Sequence, residues 1–210
     1  KSIDQLLHPT FNPNALDKAV VVTHLGLPAS PGAATGKIYF DAEKATEQAA
    51  MGEKVVLVRH ETSPEDIIGM TVSEAIVTSR GGMTSHAAVV ARGMGKCCVV
   101  GCEDIEINES NKQLIYAGGV LEEGAVVSVD GTTGIIYLGE VDKVASKNDD
   151  SFQIVMEWAR ELSDLTIRMN AETIDDLKLG LSFHASGVGL ARTEHMFFAE
   201  DRINNVRKMI

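Results

Sequence analysis

Hydrophobic and polar positions alternate in short blocks along most of the chain, a pattern that predicts short strands and short helices. Compact apolar runs and apolar–polar alternation predict strands at residues 36–41, 54–59, 74–78 and 96–100, and a hairpin over 125–138 around Asp130-Gly131. Ser63 and Pro64 favour the start of a helix, which we expect over 64–70. A small apolar helix is expected over 87–92. This pattern predicts a compact mixed α/β domain.

The pattern changes near residue 141. Residues 141–150 are polar and lysine-rich, which is typical of a linker. Beyond them the apolar spacing predicts, in turn, a helix over 152–162, a strand over 165–169, a helix over 173–180 and a strand over 187–190. A β–α–β order of this kind predicts the beginning of a parallel α/β domain.

Composition and charge narrow the function classes. The net charge of −11 argues against a nucleic-acid-binding protein, which would normally carry a basic patch. No apolar run is long enough for a transmembrane helix, and the N-terminal residues lack a signal-peptide core, so we expect a cytoplasmic protein without a membrane partner. Both ends have the look of a segment cut from a longer chain.

Three cysteines, Cys97, Cys98 and Cys102, lie close together in the sequence. An odd number without a secretion signal indicates reduced thiols. The spacing contains no CxxC pair, so we interpret the three cysteines as small apolar residues of a buried strand rather than as zinc ligands.

The chemistry-bearing stretch is GGMTSH, residues 81–86, between a predicted strand and a predicted helix. Glycines let the backbone approach an anion closely, and the unpaired N–H groups of a helix N-terminus bind phosphate oxygens. Thr84 and Ser85 add hydroxyl donors, and His86 supplies an imidazole that can attack phosphorus. The alternative is a plain turn, a hydroxyl cap and a surface histidine.

Several stretches together closely resemble the pyruvate, phosphate dikinase family. The stretch GGMTSHAAVVARGMGKCCVVGC, residues 81–102, resembles its phosphohistidine signature, and His86 matches the histidine that carries the phosphoryl group. Four further stretches are similar to the family: LLHPTFNP (6–13), LPASPGAATGK (27–37), ETSPEDIIGM (61–70) and GVGLARTEHMFF (187–198). The sequence departs from the family pattern at Ala191 and at residues 184–186.

The resemblance implies an α/β fold: a swivelling β/β/α phosphohistidine domain followed by the first elements of a (β/α)8 barrel. The expected organisation is a lead-in linker at 1–25, the swivelling domain at 26–140, a linker at 141–164 and the truncated barrel at 165–210. The implied activity interconverts ATP, pyruvate and phosphate with AMP, phosphoenolpyruvate and diphosphate. Two alternatives stay open, namely a phosphoenolpyruvate synthase-like enzyme and a non-catalytic swivelling module that binds a partner.

The resemblance also implies site residues and partners. His86 would be catalytic, while Gly82, Thr84 and Ser85 would contact phosphate. Thr84 matches a threonine that is phosphorylated for regulation in plant members, although a plain helix cap is the interpretation we favour. Arg192 would bind substrate, the alternative being a surface ion pair with Glu194. Mg²⁺ would be bound by other parts of the parent, whose ATP-binding domain and barrel would be the partners within a homodimer.

Overall fold

The computed structural model describes residues 8–144, 150–171 and 174–191. These residues fall into two compact units that divide between residues 148 and 149. The predicted domain boundaries at 25/26, 140/141 and 164/165 stay predictions.

The first unit contains thirteen short strands and four short helices within its described part. The strands are β1 Thr10–Phe11, β2 Val21–Thr23, β3 Leu27–Ser30, β4 Ala33–Tyr39, β5 Val55–Arg59, β6 Ala75–Thr78, β7 Cys97–Val100, β8 Glu106–Asn108, β9 Gln113–Tyr116, β10 Gly119–Glu122, β11 Val126–Asp130, β12 Ile135–Leu138 and β13 Lys143–Val144. The helices are α1 Pro13–Leu16, α2 Ala42–Ala50, α3 Ile67–Val72 and α4 His86–Met94, with a 3₁₀ turn at Pro64–Asp66.

The main sheet has eight strands in the order β2-β12-β11-β4-β5-β6-β7-β3. Strands β4 to β7 are parallel to one another, and the outer pairs are antiparallel. The mixed α/β class predicted from the sequence is therefore confirmed. The predicted strands and the hairpin lie within a few residues of the observed ones, and the predicted helices correspond to α3 and α4.

Side chains of the parallel strands alternate between two separate cores. On β5, Val56 and Val58 belong to one core with Ile107 and Leu114 of the small sheet β10-β9-β8. Val55 and Leu57 of the same strand belong to the other core, which contains residues of α2, α3 and α4. Because both faces are covered, the parallel strands are continuous apolar runs. The first unit thus has three layers: helices, main sheet and small sheet.

The cysteines are buried, as predicted, but Cys102 lies after the strand rather than in it. Cys97 and Cys98 are in β7, and all three thiols are free and buried. Burial raises the pKa of Cys97 and of Cys102 to about 12, so both thiols are protonated at neutral pH.

The predicted lead-in and linker contain strands of their own. Strand β2 lies inside the predicted lead-in and pairs with β12 at the edge of the main sheet. Strand β1 pairs antiparallel with β13, with Thr10 opposite Val144 and Phe11 opposite Lys143. The chain therefore enters and leaves this unit side by side.

The second unit has the predicted helix, strand, helix, strand order. Its described elements are α5 Asp150–Leu162, β14 Arg168–Asn170, α6 Ile174–Ser182 and β15 Gly187–Leu190. Strands β14 and β15 are parallel, as a β–α–β unit requires. Over the described part of the chain, no helix combines the length and the apolar character that a membrane span requires.

Candidate functional site

The GGMTSH stretch forms the connection between β6 and α4. Gly81 has a φ of +96°, which a residue with a side chain rarely adopts, so glycine is required at this point of the turn. The Ser85 N–H donates to the Gly82 carbonyl at 2.9 Å and closes the turn. Helix α4 then begins at His86. The backbone thus turns sharply and presents His86 in the first turn of the helix.

The helix is capped by Ser85, so the favoured interpretation of Thr84 as the cap is wrong. Ser85 has an extended backbone, and its Oγ accepts a hydrogen bond from the Ala88 N–H at 3.4 Å. Thr84 lies one residue too early for this role, and its side chain is exposed. Capping by Ser85 leaves the earlier N–H groups of the helix without intrahelical acceptors.

A second glycine, from the segment after β7, packs against the backbone of Gly81. Gly101, just after β7, has a φ of +63°, and a Cβ at this position would lie 2.6 Å from the Gly81 carbonyl oxygen. The Cys102 N–H donates to the Thr78 carbonyl at 3.0 Å, which attaches the same segment to the end of β6. On the helix side, Arg92 Nη2 donates to the Met83 carbonyl at 2.6 Å. The turn is therefore held from both sides.

The ring of His86 is oriented by a hydroxyl from the neighbouring strand connection. His86 Nδ1 lies 2.9 Å from Thr62 Oγ1, and Thr62 is buried while the ring is half-buried. Within the described part of the chain, Nε2 has no hydrogen-bond partner. One ring nitrogen is thus fixed by the protein, and the other is left for a reaction partner.

A cavity of about 180 Å³ lies beside the ring. Its lining residues are Glu61, Thr62, Thr78, Arg80, Gly81, Ser85, His86 and Ala87. Of the residues predicted to contact phosphate, Ser85 lines this cavity, whereas Gly82 and Thr84 are outside its lining. Arg80 adds a cation whose side chain is exposed, which suits an anionic ligand.

Sequence reasoning missed Thr62 and Arg80. Both follow adjacent parallel strands, β5 and β6, and the carboxyl ends of such strands meet at one edge of a sheet, where α/β proteins bind ligands. The position of both residues just after predicted strands could therefore have identified them from the sequence. Arg192, the predicted substrate-binding residue, lies outside the described residues. Across the described ranges, no group of three or more His, Cys, Asp or Glu residues is placed to hold a metal ion.

Comparison with known proteins finds relatives that match along the whole chain. Residues 51–134 match the family described as PEP-utilising enzyme, mobile domain, and residues 146–210 match that described as PEP-utilising enzyme, PEP-binding domain. The chain is 55% identical over 210 residues to the pyruvate, phosphate dikinase of Clostridium symbiosum, covering 100% of this chain and 24% of that protein. It is 49% identical over 210 residues to the chloroplastic pyruvate, phosphate dikinase of Mesembryanthemum crystallinum, covering 99% of this chain and 22% of that protein.

Among solved structures, an NMR structure of Enzyme I is similar at 22% identity with a TM-score of 0.30, over 52% of this chain and 37% of that one. The chain spans about a quarter of the length of the curated relatives it matches.

Proposed function

Because this chain belongs to the PEP-utilising enzymes, we propose that it is the phosphoryl-carrier segment of a pyruvate, phosphate dikinase, with His86 as the residue that accepts the phosphoryl group. The parent would interconvert ATP, pyruvate and phosphate with AMP, phosphoenolpyruvate and diphosphate. The observation that carries the proposal is the contact of 2.9 Å between His86 Nδ1 and Thr62 Oγ1.

In this proposal the Thr62 hydroxyl accepts the Nδ1 proton of His86, and that choice assigns the nucleophile. With the Nδ1 proton donated to the Thr62 hydroxyl, the lone pair of the neutral ring is on Nε2. Nε2 attacks the phosphorus of phosphoenolpyruvate, a bond forms between Nε2 and phosphorus, and the P–O bond to enolpyruvate breaks. Enolpyruvate is the leaving group, and Nδ1 keeps its proton throughout.

The surroundings of the ring suit the anion that is formed. The phosphoryl oxygens would face the N–H groups at the start of α4, the Ser85 hydroxyl and the Arg80 guanidinium. Donors fixed in place before the reaction stabilise developing charge without reorganisation. Gly82 and Thr84 belong to the same turn, and Thr84 keeps an exposed hydroxyl, as a regulatory phosphorylation like that of the plant members would require.

We further propose that the three-layer first unit is the swivelling β/β/α domain and that β14, α6 and β15 begin the (β/α)8 barrel. The described β–α–β unit supports the second assignment. Partners would be the ATP-binding domain and the rest of the barrel in a homodimeric parent. Arg192 would bind the substrate carboxylate and phosphate there, and Mg²⁺ would be held by the other parts of the parent. The cytoplasmic location stays part of this proposal.

Labelled phosphoenolpyruvate tests the assignment of His86 in the parent enzyme. The wild type should incorporate acid-labile phosphate, and His86→Asn should incorporate none while keeping its circular dichroism spectrum. His24→Asn is the matched control, because the His24 side chain is 72% exposed and does not line the cavity. Phosphate on the His86→Asn enzyme would refute the assignment, and an unlabelled wild type would favour a binding module.

Whether the wild type requires inorganic phosphate in the ATP-dependent direction separates a dikinase from a phosphoenolpyruvate synthase-like enzyme. A dikinase needs phosphate as the second acceptor, so multiple turnovers of ATP and pyruvate without added phosphate would refute that part of the proposal.

A further inference from the structure

We propose that Arg59 is a positioning residue for His86, because its guanidinium fixes both ends of the loop that presents the Thr62 hydroxyl. This loop, residues 60–63, is called the Thr62 loop below. The inference deepens the proposed function of His86 and rests on it for the chemistry, whereas its geometry rests on the contacts alone.

Each end of the Thr62 loop is anchored by a carboxylate that accepts a backbone N–H. At the start, the His60 N–H donates to Glu109 Oε1 at 2.9 Å. At the end, the Ser63 N–H donates to Asp66 Oδ2 at 2.8 Å, and the Ser63 hydroxyl donates to the same oxygen at 3.2 Å. Thr62 lies between the two anchors, so its position depends on both.

The same cation pairs with both anchoring carboxylates. Arg59 Nη1 lies 3.4 Å from Glu109 Oε2, and Arg59 Nε lies 3.5 Å from Asp66 Oδ1. Nη1 also donates to the Phe40 carbonyl at 2.9 Å, which ties the guanidinium to the residue after β4. Arg59 Nε donates no hydrogen bond, so its pairing with Asp66 is electrostatic. A planar guanidinium can face both carboxylates and the carbonyl at once, whereas an ammonium is a point charge.

The three groups come from three different parts of the first unit. Arg59 ends β5, Asp66 lies in the 3₁₀ turn before α3, and Glu109 follows β8 in the small sheet. The Asp66 side chain is 6% exposed and that of Arg59 is 22% exposed, so their pair is largely shielded from water. Loss of the Arg59 guanidinium would leave the Asp66 carboxylate buried without a cationic partner. The Asp66 and Glu109 carboxylates would then hold the two ends of the loop less firmly.

Movement of the Thr62 loop affects the His86 ring through the hydrogen bond between Thr62 Oγ1 and His86 Nδ1. When the Thr62 loop moves, the hydroxyl no longer fixes the proton on Nδ1, and the ring populates both neutral forms. Because Nδ1 contacts Thr62, the proposed reaction requires the form with a free lone pair on Nε2. Arg59 touches neither the ring nor the phosphoryl group in this scheme, so its effect must pass through the Thr62 loop, which contacts the ring through Thr62 and accepts the Arg80 N–H at the His60 carbonyl.

The first test is spectroscopic and needs no catalysis. Ring ¹⁵N shifts of His86 in the 210-residue chain, assigned with His86→Asn, report which nitrogen carries the proton. We expect Nδ1–H in the wild type, and a mixture of both forms in Arg59→Met and in Thr62→Val.

The second test measures phosphorylation of the same chain by phosphoramidate, in which Nε2 attacks phosphorus and ammonia leaves. Arg59→Met should slow the reaction roughly tenfold, below the roughly hundredfold loss that a misplacement of about 1 Å can cause. In a Thr62→Val background, Arg59→Met should change the rate by less than about twofold, since residues acting through one contact are not additive.

Two further variants guard against misfolding. Glu109→Ala removes the anchor at the start of the loop, and because the Glu109 side chain is 31% exposed the fold should survive. This variant should also give a mixture of ring forms and a slower phosphorylation, both to a smaller extent than Arg59→Met. Lys37→Met is the control: it also removes an ion pair, with Glu53, but Lys37 is paired with Val55 at the other end of β5. Its ring shifts and rate should match the wild type.

The proposal is overturned if folded Arg59→Met or Glu109→Ala keeps the wild-type ring form, or if the losses from Arg59→Met and Thr62→Val multiply in full. A wild-type chain that phosphoramidate does not phosphorylate at His86 would instead refute the proposed function. The ring shifts would still decide the role of Arg59 in that case.

Discussion

The glycine behind the turn offers a sharp test of how the site is built. Gly101 and Gly95 have nearly the same positive φ, +63° and +65°. A Cβ on Gly95 would meet nothing within 4 Å, whereas a Cβ on Gly101 would lie 2.6 Å from the Gly81 carbonyl oxygen. The two alanine variants therefore share the strain of a positive φ, and they differ in one contact that is closer than van der Waals distance.

The magnitude follows from these two terms. A side chain in the left-handed region costs about 1–2 kcal/mol, and this is the whole expected loss for Gly95→Ala. Gly101→Ala adds an overlap with rigid backbone, and forcing extra atoms into packed structure typically costs about 1–3 kcal/mol more. We therefore expect Gly101→Ala to lower the free energy of unfolding by about 2–5 kcal/mol in total.

Urea unfolding followed by near-ultraviolet circular dichroism of tyrosine measures the difference. All three tyrosines, at positions 39, 116 and 137, lie in the first unit, whereas Trp158 lies in the second. The measurement is therefore made in a Trp158→Phe background, in which the tyrosine signal reports the first unit. Gly101→Ala should also slow phosphorylation of His86, because the carbonyl that must move belongs to the turn before α4. Equal stability losses for the two variants would show that the Gly101–Gly81 contact is not tight and would refute the reasoning.

Three further predictions concern the cap, the thiols and the second unit. Ser85→Ala should lower the free energy of unfolding by about 1 kcal/mol, measured by urea denaturation, and an unchanged midpoint would show that the cap at 3.4 Å contributes nothing. Burial raises the pKa of Cys97 and Cys102 to about 12, so the folded state keeps protons that the unfolded state loses above its ordinary thiol pKa of about 8.5. The free energy of unfolding should therefore be intact below about pH 8.5 and fall as the pH rises towards 12. Unfolding curves over a pH series measure this fall. A Cys102→Ala variant whose stability falls as steeply as that of the wild type would contradict the prediction. Arg192→Lys in the parent should slow the phosphoenolpyruvate/pyruvate half-reaction by more than about tenfold and spare the nucleotide half-reaction, because an ammonium cannot hold two oxygens at once. Single-turnover rates that fall together would assign Arg192 to the fold instead.

The elements that the sequence predicted are those with strong local signals. Strands β5, β6 and β7 are short apolar runs because both faces of the sheet are covered, and such runs are visible in the sequence. Helix α2 and the small sheet β8 to β10 were not predicted. The apolar positions of α2 are all alanines among charged and polar residues, and Ala45 is the residue that is buried, so the helix lacked a strongly hydrophobic face. The three strands of the small sheet have three or four residues each, too few for a clear period.

The candidate site also has one part that could be predicted from the local sequence and another part that could not. The turn, the helix start and His86 are contiguous in the chain, so their chemistry could be predicted from one stretch of sequence. Thr62 is 24 residues from His86, and Glu109 is 49 residues from His60, so these contacts depend on strand order and register. The cap was assigned one residue early because Thr84 and Ser85 are both good capping residues and only the backbone conformation distinguishes them.

The pairing of β1 with β13 brings together two points that are 134 residues apart in the chain, since Thr10 lies opposite Val144. Opposed residues of an antiparallel pair have Cα atoms roughly 5 Å apart. A short peptide should therefore join these two ends, and new termini opened in an exposed turn should give a circular permutant that still folds. In genetic terms, such a unit can be inserted into, or removed from, a longer protein at a single point without forcing its neighbours in the sequence apart.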